Sequence, residues 1–299
     1  MRPTLALALG LLPLAHAVDI VSSNDDGWAE ANIRSLYSAL SSSGHSVVVS
    51  APAENKSGSG SRDETPTDRT EACEFDSCPA NSGPTGSNAT DPRLNWVNSY
   101  PVTSIKYGID TFAPQFFDGA PDLAVTGPNV GNNLGLTVYI SGTVGAATYA
   151  AGTAGIPAIA FSGESGDPTA WNAEVPEYSK VYAELAAKLT DRLVASGAPY
   201  LPENTWLNVN FPAVDETCAS ADDFSFVLTR IFTALPLITA DDVETCGDSR
   251  LPTEFSTIHL TDGCYVSVSV GAADDKGDAD AAVQGVVLEK LGDLLSCLP

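Results

Sequence analysis

Ser22-Ser23-Asn24-Asp25-Asp26-Gly27-Trp28 closes a short apolar run, Val18-Asp19-Ile20-Val21, and an amphipathic pattern follows at once. The run reads as a buried strand and the pattern as a helix. In open α/β sheets the ends of such strands are where ligands bind. Two adjacent carboxylates there repel each other unless a cation lies between them or one takes up a proton. Hard divalent cations favour oxygen ligands of this kind. The competing reading is a helix N-cap, with Asp25 or Asp26 accepting N–H bonds. One Asp suffices for a cap, so Asn-Asp-Asp-Gly points to a metal or phosphate site.

Working outward, Ala29 to Ser43 carries Ile33, Leu36, Tyr37 and Leu40 at helical spacing, and Gly44 ends it. Val47-Val48-Val49 is a second strand, completing a βαβ unit. Residues 53–91 form a long polar insertion. Strand-like runs at Leu123–Thr126, Ile156–Phe161 and Trp206–Phe211 alternate with helical patterns at 141–152 and 178–196. The alternation predicts a doubly wound, mostly parallel, Rossmann-like α/β sheet. After Phe211 the pattern breaks. Phe224–Leu228 and Tyr265–Val270 read as strands of an antiparallel excursion across 212–264, and Ala279–Leu298 as a closing helix. Residues 18–299 are expected to form one domain.

The chain has 299 residues and a net charge of -24, a surface that repels nucleic acid and anionic membranes. Any phosphate site must therefore draw its positive potential from a metal, a helix N-terminus or a lone Lys. Residues 1–17 carry Arg2, the apolar run Leu5–Leu14 and Ala15-His16-Ala17, the pattern of a signal peptide. A secreted, extracellular protein is expected, and its six cysteines then suggest three disulfides. No Cys pair has the C-x₂-C spacing of a zinc site. Cys73 and Cys78 are expected to close a local loop in a segment with no core of its own, dispensable for folding and activity. The four C-terminal cysteines should pair among themselves. Sequence leaves their order open, with Cys218–Cys246 and Cys264–Cys297 as the expected pairs. Asn55 and Asn88 head glycosylation sequons.

Three Gly/Ser/Asn-rich segments follow strand-like runs: 24–27, 57–61 and 127–133. A doubly wound sheet brings all three to one edge. Ser141-Gly142-Thr143 opens a helix, where N–H groups and the dipole favour phosphate. With Ala51-Pro52, Pro121-Asp122-Leu123, Gly127-Pro128-Asn129-Val130-Gly131 and Gly155-Ile156-Pro157 in order, this set resembles the SurE (survival protein E) family of metal-dependent phosphatases and nucleotidases. The signal peptide fits its secreted, fungal-type acid phosphatase branch. The resemblance implies one divalent cation, Mg²⁺ or Mn²⁺, held by Asp25, Asp26, Ser57 and Asn129, with Asp25 and Asp26 catalytic. It also implies phosphate contacts from Asn24, Ser141, Gly142 and Thr143. The expected substrate is a small phosphomonoester such as a nucleoside monophosphate, and the expected assembly a homodimer. Tyr100-Pro101-Val102 stands where the family usually has Gly-Thr-Pro, beside the place for a leaving group.

Four rival readings compete. A haloacid-dehalogenase-type phosphatase needs Asp-x-Asp, whereas Asp25 and Asp26 are adjacent. A histidine acid phosphatase needs Arg-His-Gly, which neither His45 nor His259 provides; both read as structural. A secreted serine esterase has only Gly247-Asp248-Ser249 in its favour, late in the chain, and no Gly-x-Ser-x-Gly elbow exists. A non-catalytic binding protein on the same fold would have little reason to retain Asp25, Asp26, Ser57 and Asn129.

Overall fold

One nine-stranded sheet runs through residues 17–299, the part of the chain that the computed structural model describes. The leader reading of 1–17 falls almost wholly outside it. The strands are β1 (Asp19–Ser23), β2 (Ser46–Pro52), β3 (Thr85–Ser87), β4 (Leu94–Val97), β5 (Leu123–Val130), β6 (Ala158–Gly163), β7 (Thr205–Phe211), β8 (Ser225–Thr229) and β9 (Tyr265–Ala272), in the order β3-β4-β2-β1-β5-β6-β7-β9-β8. From β4 to β7 all neighbours are parallel. The helices are α1 (Ala31–Ser42), α2 (Pro101–Tyr107), α3 (Gly142–Gly152), α4 (Glu177–Ala195), α5 (Glu254–His259) and α6 (Ala281–Leu291). The sheet is thus doubly wound and mostly parallel, with antiparallel additions at its C-terminal edge.

The central strands are buried on both faces, which is why they read as continuous apolar runs. One face is covered by α1 and α4, whose Leu36, Leu40, Val181, Leu185, Leu189 and Leu193 form a single core with the sheet. The other carries α2 and α3 over Val21, Ala124 and Ala158. Nearly every α3 residue is buried, so this helix has no polar face to betray its period. Sequence periodicity passes over β4 and α2 because four and seven residues are too few to show one.

The segment 53–91 is more than a polar insertion. It contains β3, antiparallel on β4, and its disulfide Cys73–Cys78 is 3% and 5% exposed. The bridge packs with Trp28, Ile33, Val49, Leu94 and Trp96 in a core of its own. The segment thus has a core of its own, contrary to the sequence expectation, and loss of the bridge is expected to open that cluster. The excursion also differs in detail. β9 is antiparallel to β7, but β8 is parallel to β9, in register Ser225↔Tyr265. Parallel pairing puts the starts of the two strands side by side. Cys264, just before β9, lies beside the start of β8, where Ser225 N donates to its carbonyl at 2.9 Å, and the loop leading into β8 brings Cys218 to it. Cys246 is left for Cys297. Pairing within the C-terminal third holds; the expected order, Cys218–Cys246 and Cys264–Cys297, is wrong.

The closing helix is shorter than the pattern suggested. It ends at Leu291, before Gly292 at φ +46°, and the tail turns back so that Ser296 N donates to the Phe226 carbonyl at 2.8 Å. Cys246–Cys297 ties this tail to its own chain. No helix among the described residues is long and apolar enough to cross a membrane.

These contacts set different consequences for the bridges. Loop-closure entropy assigns about 2 kcal/mol to a six-residue loop and about 4 kcal/mol to loops of roughly fifty residues. Urea melts of oxidised protein should therefore show Cys246→Ala/Cys297→Ala losing more stability through chain entropy while phosphatase activity is retained. Cys73→Ala/Cys78→Ala should lose activity as well, because the bridge supports Glu74, whose Oε2 accepts from Asn55 N at 2.7 Å beside the Asp pair.

Candidate active site

β1 lies between β2 and β5, and the chain leaves it toward β2 before crossing to β5. Such a reversal makes the carboxyl ends of the strands the usual ligand position in sheets of this kind. The turns after β1, β2 and β5 and the start of α3 meet there.

Asp25 and Asp26 are 2% and 1% exposed. Asp25 Oδ2 accepts from Gly142 N at 2.9 Å and Oδ1 from Thr143 Oγ1 at 2.8 Å. Its carbonyl accepts from Lys56 N at 2.6 Å. One residue thus joins the ends of β1 and β2 to the N-terminus of α3. The capping alternative proves half right. The helix that follows, α1, is capped by Glu30, while Asp25 serves α3 instead. Gly142 is required at the junction: a Cβ would lie 2.8 Å from Asp25 Cβ, 2.7 Å from Ser59 Oγ and 2.8 Å from Pro101 Cγ.

Asp26 turns the other way. Its Oδ2 accepts from Val130 N at 2.9 Å, and its Oδ1 has only Asn55 Nδ2, at 3.4 Å. Neither Asp pairs with a Lys or Arg among the described residues. Burial raises both carboxyls above the usual range, that of Asp26 well above it, with the Asp25 charge adding to the rise. Asn129 brings an amide whose Nδ2 is spent on the Val130 and Gly131 carbonyls, at 3.1 and 2.6 Å. Its Oδ1 is buried without a partner among the described residues. Ser57 is exposed, in a turn closed by Ser57 N donating to Asn55 Oδ1 at 2.8 Å. Among the described residues no group of three or more His, Cys, Asp or Glu side chains could hold a metal, so an ion here needs neutral oxygens beside the two carboxylates.

The phosphate set is distributed unevenly. Asn24 is committed to Gly27, donating to its carbonyl at 3.0 Å and accepting from its N–H at 3.1 Å, so it shapes the turn. Ser141 caps α3, accepting from Val144 N at 3.1 Å, which leaves its O–H to donate elsewhere. Donors of Gly142 and Thr143 are already on Asp25. Sequence reasoning missed Ser59, whose buried Oγ has no partner among the described residues and lies against Gly142, although it sits inside the flagged 57–61 segment. It also missed Glu30, fully buried, whose Oε2 accepts from Asn32 N at 2.5 Å and Oε1 from Thr169 N at 3.4 Å. Through it the segment after β6 is stapled to the start of α1.

The histidines stand elsewhere. His45 Nε2 pairs with Asp191 Oδ1 at 2.8 Å, and His259 lies 3.7 Å from Glu164. Gly247-Asp248-Ser249 is an exposed turn beside the Cys246–Cys297 bridge, and neither histidine hydrogen-bonds to Ser249.

Adjacent buried carboxylates beside a helix N-terminus, at the switch point of a doubly wound sheet, make this an α/β enzyme of the phosphoryl-handling kind. The chain belongs to the survival protein SurE family, whose model matches residues 20–233. It is 33% identical to an acid phosphatase of Yarrowia lipolytica, over 91% of this chain and 84% of that one. It is 31% identical to the 5'-nucleotidase SurE of Lawsonia intracellularis, over 66% and 67% of the two chains. The crystal structure of the SurE protein from Aquifex aeolicus, 22% identical, superposes with a TM-score of 0.59 over 90% of this chain and 98% of the other, and so shares its fold.

Burial lifts the Glu30 carboxyl to about 7. A carboxyl whose folded pKa exceeds its unfolded value loses its stabilising contribution as pH rises between the two, here from 4.5 to about 7. Urea titrations at pH 5 and pH 7.5 should therefore show a smaller difference for Glu30→Gln than for the unmodified protein. An unchanged pH dependence would mean that Glu30 titrates normally.

Proposed function

We propose that this chain is a phosphoric monoester hydrolase, secreted and dependent on a divalent cation, that acts on small phosphomonoesters, nucleoside monophosphates among them. The observation that carries the reading is the buried Asp25–Asp26 pair, without a basic partner among the described residues, with Asp26 bonded to Val130 N next to Asn129, whose Oδ1 is buried without a partner among those residues. Two carboxylates and two neutral oxygens, from Asn129 and Ser57, form an all-oxygen donor set, which suits Mg²⁺ or Mn²⁺ better than zinc. When bound, such an ion polarises a phosphoryl oxygen and lowers the pKa of a water.

The chain's own residues supply the rest. Asp25, held by Gly142 and Thr143, has a fixed orientation. Asp26 keeps Oδ1 nearly unengaged, so it is the carboxylate with most capacity for a ligand. The Ser141 hydroxyl is free to donate to a phosphate oxygen, and the α3 N-terminus adds positive potential. Three disulfides and similarity to a fungal acid phosphatase support secretion.

Asp25→Asn and Asp26→Asn should each lower kcat/KM for p-nitrophenyl phosphate by about two orders of magnitude, roughly 3 kcal/mol of transition-state stabilisation. Chelation should abolish turnover in the unmodified enzyme, and Mg²⁺ or Mn²⁺ should restore it. Near-normal turnover in both variants would remove the metal assignment. Hydrolysis of p-nitrophenyl acetate that survives chelation would favour the esterase.

Asn55 should carry no glycan in active protein, because Nδ2, the atom a glycan would occupy, faces Asp26 Oδ1. Asn88 lies in an exposed turn and should be the occupied sequon. Glycopeptide mapping of protein from a glycosylating host checks both. Full occupancy of Asn55 in fully active enzyme would show that this loop points away from the site.

A further inference from the structure

Glu254 is fully buried, in a part of the chain beyond the segment that the family model matches. It opens α5, close behind the sheet edge, and makes no ion pair among the described residues. Its Oε1 accepts from Asn208 Nδ2 at 2.7 Å, and its Oε2 from Gly135 N at 3.3 Å. Asn208 Nδ2 also donates to the Asn133 carbonyl at 2.9 Å. Asn133 is gripped from two further sides: its N–H donates to Asn210 Oδ1 and its Nδ2 to Ser162 Oγ, both at 2.8 Å. Ser162 and Asn210 belong to a polar row across the sheet, since Asn129, Ser162, Asn210 and Ser267 are successive register neighbours from β5 to β9, while Asn208 lies one pair further along, opposite Ser269.

Burying a carboxyl and three amides in a sheet core is costly unless they are hydrogen-bonded to a purpose. What they hold is a turn with no regular structure of its own. Residues 131–134 lie between β5 and the 3₁₀ turn at Gly135–Tyr139. At one end of that turn are Asn129 and Val130, whose N–H bonds Asp26; at the other is Gly135, on Glu254.

We infer that Glu254 is a positioning residue of the site: acting through Asn208 and Gly135, it fixes the turn after β5 and so holds Asn129 and Val130 against Asp26. The inference rests on the assignment of Asn129 to the cation site. Glu254 touches neither substrate nor cation. It links the C-terminal excursion to the carboxylate pair, giving that excursion a function beyond covering the sheet edge. Burial raises its carboxyl to about 8, so it is protonated at neutral pH. A glutamine of the same shape can keep the bond from Asn208 but cannot accept from Gly135 N.

The test is hydrogen exchange by mass spectrometry on the full chain, read for peptides across 129–136, with Mn²⁺ titrations of p-nitrophenyl phosphate turnover alongside. Glu254→Ala should speed exchange there about tenfold while the β1 and β6 peptides keep their protection. It should also raise the Mn²⁺ concentration for half-maximal activity about tenfold, with kcat largely recovered at saturating Mn²⁺. Glu254→Gln, which keeps the bond from Asn208 but offers Gly135 N no acceptor, should fall between the unmodified protein and Glu254→Ala in both readings. Val287→Ala, a buried change in α6, serves as a control for simple destabilisation and should leave 129–136 protected. Unchanged exchange across 129–136 in folded Glu254→Ala would overturn the inference, as would equal acceleration in Val287→Ala. The exchange result stands even if the unmodified protein fails to hydrolyse phosphate esters, so failure of the activity and failure of the positioning are told apart.

Discussion

The carboxylate of Asp25 is the pivot of this molecule. It sits where β1 ends and accepts from the first turn of α3, while its carbonyl anchors the turn after β2. Three segments far apart in sequence are registered on one residue. The arrangement leaves a negative group buried next to a second, at the mouth of a strongly acidic chain. The α3 N-terminus, a few amide donors, a proton on one carboxyl or an added cation can balance it.

Around that pivot the buried polar groups fall into two kinds. The innermost polar groups are uncharged or protonated: Asn208, Asn210, Ser162 and Glu254 lie beneath the turn after β5. The charges buried in the C-terminal excursion are instead matched by partners of opposite sign. Arg230 bonds Asp242 at 2.8 and 2.7 Å and Asp278 at 3.2 Å, fastening the C-terminal excursion to the start of the last helix. A buried ion pair of this kind adds little net stability, but breaking it leaves an unmatched charge, so it specifies one docking of the excursion.

What could be read in the sequence follows from where information is local. Asn24–Gly27 after an apolar run, and Ser141-Gly142-Thr143 before a helix, are legible because a strand end and a helix start each have their own chemistry. The convergence of the turns follows from the alternation of strands and helices. The register of β8 on β9 has no such signature, and disulfide order depends on it, so Cys218–Cys264 could not be read. Glu254 is invisible for the same reason: its partners come from β7 and the turn after β5. A hint was present in Trp206-Leu207-Asn208-Val209-Asn210-Phe211, where amides alternate with apolar residues in a strand buried on both faces. Polar residues at every second position of such a strand mark a face that serves something other than packing. Ser59 was hidden inside a repetitive Ser-Gly run, where only three dimensions separate one hydroxyl from the next.

The returning tail completes the sheet in a way that bears on how the protein behaves among its own copies. β8 is the last strand, and its outer rim would otherwise offer unsatisfied amides and carbonyls to any neighbouring chain. Phe226 instead pairs with Leu295 and Ser296, and Cys297 fastens the cover to Cys246. At the opposite rim β3 is only three residues long. Both rims are thus poor templates for strand-to-strand growth, a safeguard against fibrillar association. At one rim that safeguard hangs on a single exposed sulfur–sulfur bond, which ties colloidal behaviour to the oxidising power of the surroundings.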